Sequence, residues 1–392
     1  MSKIKPIAFY LPQFHTIPEN DKAYGTGFTE WTNTKKCKPL FEGHYQPRIP
    51  LNSNYYNLLD EGVMEKQAAL AKEYGVYGFC YYHYWFKNGK KLLEKPLESM
   101  LQNKKVDIPF CLCWANENWT KRWDGGNNEI IAVQDYDDMD GLDTHIDYLC
   151  EFFYDERYIK IDGKPLFLIY KPELIPNLKK TISHIRNRVV SKGFPGIVLA
   201  CQHPEFYFEG INLEVFDNYV QFQPIFVQKA IAYENATLKE KWKLNLKCIL
   251  AKLGLREVGK KIQRLGIQAV GKKDRVSIKI KQERRSFTDD FEKILSYEVK
   301  DKRLIAGAFT DWDNSPRNKN GICYIGSNPS IFGEYMSRLV KKIKKEYSSD
   351  FLFINAWNEW AEGAFLEPDE KYGYGYLEAL KKVIESSDEF NN

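Results

Sequence analysis

Eight short apolar runs, each breaking off into polar and aromatic residues, constrain the fold of this chain more than any other feature. They are Pro6–Leu11, Val76–Tyr82, Pro109–Trp114, Pro165–Tyr170, Gly196–Cys201, Asn218–Phe222, Leu304–Phe309 and Phe351–Asn355. Each has strand length and is apolar throughout rather than alternating, which suits parallel strands buried on both faces. Helix-like stretches separate them. Apolar residues recur at helical spacing from Leu58 to Tyr74, with Gly75 as a C-cap, and again from Ile175 to Lys192 and from Ser330 to Tyr347. Strands alternating with helices predict an α/β fold, a (β/α)8 barrel of the TIM type, which can reach 392 residues with insertions. A doubly wound sheet is the alternative, but no glycine-rich loop follows the first run to hold a nucleotide phosphate.

A barrel gathers its reactive groups where the strands end, on the carboxyl face. The first run leads to Tyr10 and His15, then to a loop carrying Glu30 and Trp31. The second ends in Tyr82, His83 and Trp85, and the third in Trp114, Asn116, Glu117 and Trp119. Tyr170 closes the fourth, and Asp311, Trp312 and Asp313 follow the seventh beside Asn314 and Arg317. The eighth opens into Asn358-Glu-Trp-Ala-Glu-Gly363. Two carboxylates three residues apart, flanked by indoles, suit glycosidic chemistry: one gives a proton to a leaving oxygen and the other takes one, while flat rings stack on a sugar. Each cluster has a plainer reading as well. The histidines could be satisfied near the core, the aspartates could cap a turn, and two acids could start a helix. Their convergence on one rim, nearly always with an aromatic, favours a saccharide pocket. Asp311-Trp-Asp313 has the spacing of a metal-nucleotide motif but reads here as a sugar-contacting loop.

Composition agrees with that picture. Aromatics make up 15% of the chain, including nine Trp and 25 Tyr. The eight cysteines are irregularly spaced, several within apolar runs, so they read as small buried hydrophobes, with no metal and no cofactor expected. The N-terminus carries no extended apolar leader segment and no apolar run reaches membrane-spanning length, so the expected location is cytoplasmic. From Lys229 to Arg285, 17 basic residues face 5 acidic ones, an excess of 12 against +4 for the whole chain. Trp242, Leu246, Ile249, Leu250, Leu253, Val258, Ile262 and Leu265 fall near helical spacing within it. The domain reading is therefore one catalytic barrel over residues 1–392 with a basic helical insertion at 229–300, between strands 6 and 7. Such an amphipathic helix suits an anionic membrane surface or a solvated face. Nucleic acid is not an expected partner, because no reader motif is present.

Five motifs carry a resemblance that spans nearly the whole chain and is weakest in the basic segment. They are Tyr10-Leu-Pro-Gln-Phe-His15, Gly27-Phe-Thr-Glu-Trp-Thr-Asn33, Tyr77–Phe86, Cys113-Trp-Ala-Asn-Glu-Asn-Trp-Thr120 and Trp357-Asn-Glu-Trp-Ala-Glu-Gly363. The chain closely resembles the WbsX family, described as glycosyltransferases of bacterial O-antigen and capsule loci. That family is in turn similar to glycoside hydrolase family 99, retaining endo-acting α-mannosidases on a (β/α)8 barrel. The resemblance implies Glu362 as general acid/base and Glu359 as the group that deprotonates the sugar's own 2-hydroxyl. The hydrolases often carry His where this chain has Ala361. Three readings follow. The first is glycosyl transfer in lipopolysaccharide or capsular polysaccharide synthesis, with a sugar donor and a lipid-linked acceptor at the inner membrane face. The second is endo-acting hydrolysis of an α-linked glycan, and the third a glycan-binding barrel without catalysis.

Overall fold

The computed structural model describes residues 3–121, 129–136, 138–203, 213–242, 246, 283–318 and 321–389. All eight runs form strands: β1 (Lys5–Tyr10), β2 (Gly78–Trp85), β3 (Phe110–Trp114), β4 (Lys164–Ile169), β5 (Val198–His203), β6 (Asn218–Gln221), β7 (Leu304–Phe309) and β8 (Phe351–Asn355). Neighbours in sequence are neighbours in space and all are parallel. The ring closes where β8 pairs with β1, placing Lys5 opposite Phe351. This is the (β/α)8 barrel expected from the uninterrupted apolar runs.

A helical shell covers the ring: α1 (Val63–Glu73), α2 (Lys95–Gln102), α3 (Met139–Phe153), α4 (Leu178–Ser191), α5 (Ile225–Glu234), α6 (Phe287–Ser296), α7 (Pro329–Glu346) and α8 (Gly375–Glu389). Local chemistry sets their ends. Asp138, Ser286 and Asn328 cap α3, α6 and α7 by accepting the backbone N–H three residues on. Gly75, at φ +81°, stops α1 where the sequence places its C-cap. That helix starts five residues later than its periodicity suggests, because Asn57 to Gly62 form turns instead. Between β5 and β6 the described residues hold only the short turn Leu213–Val215.

The basic stretch lies in the β6–β7 connection; it begins within a shell helix, and at its end Arg284–Ser286 pairs in parallel with Cys323–Ile325 just before the next helix. Lys229 sits within α5, and α6 occupies 287–296. Trp242 is 64% exposed. Ile249, Leu250, Leu253, Val258, Ile262 and Leu265 lie outside the described residues. No helix of the described residues is long and apolar enough to cross a membrane.

Alternation along the strands decides which side chains point into the barrel. The interior is aromatic: Phe9 of β1 stacks on Tyr82 of β2 at 5.6 Å and meets Phe222 and Phe353 at 5.3 and 5.4 Å. At Gly307 on β7 a Cβ would stand 1.7 Å from the Gln221 carbonyl oxygen, so only glycine lets β6 and β7 approach there.

Candidate active site

The rings that fill the barrel mouth form the floor of a cavity of about 360 Å³ at the carboxyl ends of the strands. Tyr82, Tyr84, Trp119, Tyr170, Phe222 and Trp312 supply flat faces, and Glu117, Arg317, Glu359 and Glu362 supply charge. Tyr84 and Trp119 meet edge to face at 5.0 Å. Gln202 steadies Tyr82 by donating to its hydroxyl at 3.2 Å.

The loop after β8 holds the glutamate pair by several constraints. Asn358 mimics a strand partner: its Oδ1 accepts from Leu11 N–H at 2.8 Å and its Nδ2 donates to the Leu11 carbonyl at 3.1 Å. Asn358 and Glu359 pair antiparallel with Phe365 and Ala364. One helical turn, Trp360–Glu362, joins the two pieces and ends at Gly363 with φ +65°. A Cβ at Gly363 would come within 2.9 Å of the Asp313 amide nitrogen, which itself donates to the Glu362 carbonyl at 2.6 Å. Left-handed backbone and close approach both require glycine at this position.

Arg317 lies against both carboxylates. Its Nη1 donates to Glu362, and its Nη2 donates to Glu359 at 3.2 Å and to Glu30 at 2.5 Å. Burial pushes Glu359 well up, and the nearby Glu362 charge pushes it further, while Arg317 opposes both. Burial raises Glu362 as well, again against Arg317. Burial and mutual repulsion thus both work against two full negative charges on the pair, and Arg317 offsets part of that.

Of the other residues expected at the rim, Tyr82, Glu117, Trp119, Tyr170 and Trp312 face the cavity. Glu117 pairs with Lys171. The rest do not line it. Glu30 is fully buried behind Arg317. β2 continues as strand through Trp85, so Tyr82 and Tyr84 point inward while His83 and Trp85 point outward, onto α3. Trp114 points the same way, against His145 at 4.8 Å. Tyr10 also faces the shell, donating to Gln67 Oε1 at 2.6 Å. Asn116 spends both ends of its amide on the Lys171 backbone, at 2.7 and 2.8 Å. Trp31 packs under the loop, 5.3 Å from Trp360, whose indole stacks on Phe365 at 3.8 Å. His15 is buried with Nδ1 3.0 Å from the Pro12 carbonyl, and burial lowers its pKa to about 4.

Asp311 and Asp313 turn away from the cavity while Trp312, between them, enters it. Asp311 accepts from Arg48 at 2.8 Å, and Asp313 Oδ2 accepts from His44 and Gln46, each at 2.7 Å. Burial would raise Asp313, but those hydrogen bonds and Arg48 hold it at about 2. His44, Asp313 and Cys323 bring ligand-type atoms within 4.8 Å of one another. Leu40 N–H donates to His44 Nδ1 at 3.0 Å, so the neutral ring carries its proton on Nε2 and gives it to Asp313. With that nitrogen protonated, the trio is a hydrogen-bonded brace behind Glu362 rather than a metal cage.

His83 and His145 share one hydrogen bond, Nε2 to Nε2 at 2.9 Å, with both rings buried. Burial lowers both, His83 to about 3 with help from Lys91. In the unfolded chain each titrates near 6.5, so the stability they contribute is complete above that value and is lost progressively as pH falls from there toward the folded value, about 3 for His83. The free energy of unfolding should decline between pH 7 and 5 by up to about 1.4 kcal/mol per pH unit for each ring. Urea midpoints measured across that range check this. A His145→Phe variant should show a shallower dependence, and an unchanged slope would mean that the pair does not set it.

Comparison with known proteins gives the same fold and a family. A family model described as Glycosyltransferase WbsX matches residues 6–380. Two relatives from strains of Xanthomonas campestris pv. campestris, each called uncharacterized protein WxcX, are 33% identical over 387 residues, 96% of this chain and 49% of theirs. The chain thus spans about half the length of those relatives. Among solved structures, one described as a glycoside hydrolase-like protein aligns with a TM-score of 0.55 at 12% identity, covering 98% of this chain and 94% of that one. The GH99 endo-alpha-mannosidase from Bacteroides thetaiotaomicron aligns with 0.54 at 12% identity, covering 98% of each. At such identity the likeness shows the barrel alone.

Proposed function

Because this chain belongs to the WbsX glycosyltransferase family, we propose that its aromatic cavity is the active site of a glycosyltransferase of O-antigen or capsular polysaccharide assembly. Glu359 and Glu362 are its catalytic pair. The observation that carries the proposal is the pair itself: Glu359, buried, and Glu362, half-buried, both held by Arg317 in one aromatic-walled cavity at the carboxyl face of the barrel. Aromatic faces take the apolar faces of sugar rings, and the carboxylates address the anomeric centre. In this reading Glu362 exchanges a proton with the glycosidic oxygen. Glu359 draws the proton from the sugar's 2-hydroxyl, which attacks the anomeric carbon and expels the leaving group. An acceptor hydroxyl then attacks the anomeric carbon and opens the intermediate, its own proton passing to Glu362 while Glu359 returns its proton to the 2-oxygen. The acceptor is a lipid-linked glycan, held near an anionic inner membrane face by the basic β6–β7 segment. Trp242 and Leu238, 64% and 86% exposed one helical turn apart among lysines, support that placement.

The raised pKa of the pair also favours a second reading. A phosphate leaves as an anion and needs no proton donor, whereas a glycosidic alkoxide does. A protonated carboxyl therefore suits cleavage of an α-linked glycan, by hydrolysis or by transfer of the released sugar. One experiment separates the two. Protein is incubated with anionic vesicles carrying a lipid-linked acceptor, in one reaction with nucleotide-activated sugars and in another with α-linked manno-oligosaccharides. A lipid product elongated from the activated sugar, and reduced when residues 236–272 are deleted, supports the first reading; one elongated from the oligosaccharide supports cleavage with transfer. Rapid Glu362-dependent release of reducing ends with no elongated product assigns hydrolysis. Neither product from wild-type protein under either condition removes both readings.

A further inference from the structure

Beneath the glutamate-bearing loop lies a carboxylate that takes no part in the chemistry above. Glu367 is 8% exposed. Its Oε2 accepts from the Trp360 indole N–H at 2.7 Å and from the Tyr56 hydroxyl at 2.8 Å, and its Oε1 accepts from Gln67 Nε2 at 2.7 Å. Three donors from three parts of the chain thus end on one group: the β1–α1 connection, α1 and the loop itself. The network runs on in both directions. Tyr10 donates to Gln67 Oε1 at 2.6 Å, and Asn358 Nδ2 reaches the Tyr56 hydroxyl at 3.4 Å. Trp360 stands between Glu359 and Glu362, and Asn358 immediately precedes them.

Packing alone would favour an apolar side chain here, since a buried carboxylate is unfavourable unless donors compensate it. Nor would a neutral group serve as well. The indole N–H and the Tyr56 hydroxyl both end on one oxygen, and Gln67 Nε2, whose own Oε1 already accepts from Tyr10, ends on the other, so a glutamine here would set its amide N–H groups against one of these donors. We infer that Glu367 is a positioning residue for the glutamate pair: its carboxylate fixes the Trp360 indole and the Tyr56 hydroxyl, and through them the turn that presents Glu359 and Glu362 to the cavity. This role rests on the proposed catalysis by that pair.

Burial pushes Glu367 up to about 7, against the lowering effect of its hydrogen bonds. The titratable side chains facing it are Tyr10 and Tyr56, both raised far by burial, so neither ionises over the neutral range. A proton gained by Glu367 turns one acceptor oxygen into a donor and loosens the hold on the loop.

The test uses full-length protein with 15N-labelled tryptophan, the Trp360 indole signal being identified by its loss in Trp360→Phe. In wild-type protein that signal should shift with pH, with a midpoint near 7. In Glu367→Gln, shown to be folded by circular dichroism, it should move at every pH and no longer titrate. With whichever glycan the wild-type enzyme turns over, Glu367→Gln should lower kcat about tenfold or more while KM stays within about twofold, since the pair is misplaced but the aromatic walls are not. A Trp360 signal untouched by the substitution overturns the inference, as does full kcat in the folded variant. If wild-type protein turns over no glycan, the proposed function fails on its own, and the indole signal alone decides whether Glu367 holds the loop.

Discussion

Glu362→Gln should lower turnover by roughly 10²–10⁴-fold while ligand binding stays close to that of wild-type protein. Glutamine keeps the shape and can still accept from Arg317, so the loop and the aromatic walls have no reason to move. It can neither give nor take the proton that the proposed reaction exchanges at the glycosidic oxygen. The same change alters its neighbour in a direction that can be measured. Glu359 is raised by burial and by the Glu362 charge, and lowered by Arg317. Removing the Glu362 charge removes the repulsion and leaves Arg317 with two carboxylates instead of three, so the Glu359 pKa falls. Residual activity that depends on ionised Glu359 should then extend to lower pH than in wild-type protein. Titration calorimetry for binding and a pH–rate profile for turnover check the two halves. Undiminished turnover in the variant would remove Glu362 from the chemistry.

The sequence discloses the scaffold more fully than the faces of its strands. Eight continuous apolar runs leave few folds open, because strands buried on both sides need helices outside and rings inside. That same double burial hides which face is which. In Tyr82-His-Tyr-Trp85 every residue is amphipathic and both faces are covered, so composition does not separate the inward tyrosines from the outward His83 and Trp85. The apolar run ends at Tyr82, yet the strand continues three residues further, and period-2 alternation then selects Tyr84. Alternation also explains the seventh rim, where Trp312 enters the cavity and its flanking aspartates face Arg48 and His44. Arg317 gives no such local signal. Its partners lie 42, 45 and 287 residues away, and a surface arginine looks the same in sequence. Glu367 does leave a trace, as a lone acid closing Ala364-Phe-Leu-Glu367 directly after the motif, where an apolar residue would otherwise be expected.

Arg317→Met should destabilise the fold by about 3–5 kcal/mol near neutral pH, the loss typical when one partner of a buried ion cluster is removed. Its side chain is 14% exposed and serves Glu30, Glu359 and Glu362, whose side chains are 0%, 9% and 19% exposed. Methionine fills the space but leaves three carboxylates without the guanidinium that joins them. Glu359 and Glu362, already raised by burial, must then rise further, which fixes the sign of the pH effect. A carboxyl group whose pKa is higher in the folded than in the unfolded protein binds the extra proton only when folded, so stability falls as pH rises through that interval. The deficit of the variant should therefore be greatest at neutral pH and above, and should shrink as pH falls toward the ordinary glutamate value of 4.5. Arg317→Lys should fall between the two, since one ammonium cannot reach three carboxylates as a planar fork does. Urea denaturation of the three proteins at pH 5 and pH 8 measures all of this. A gap between wild type and Arg317→Met that is equal at both pH values would mean that lost packing, not charge left without a partner, explains the instability.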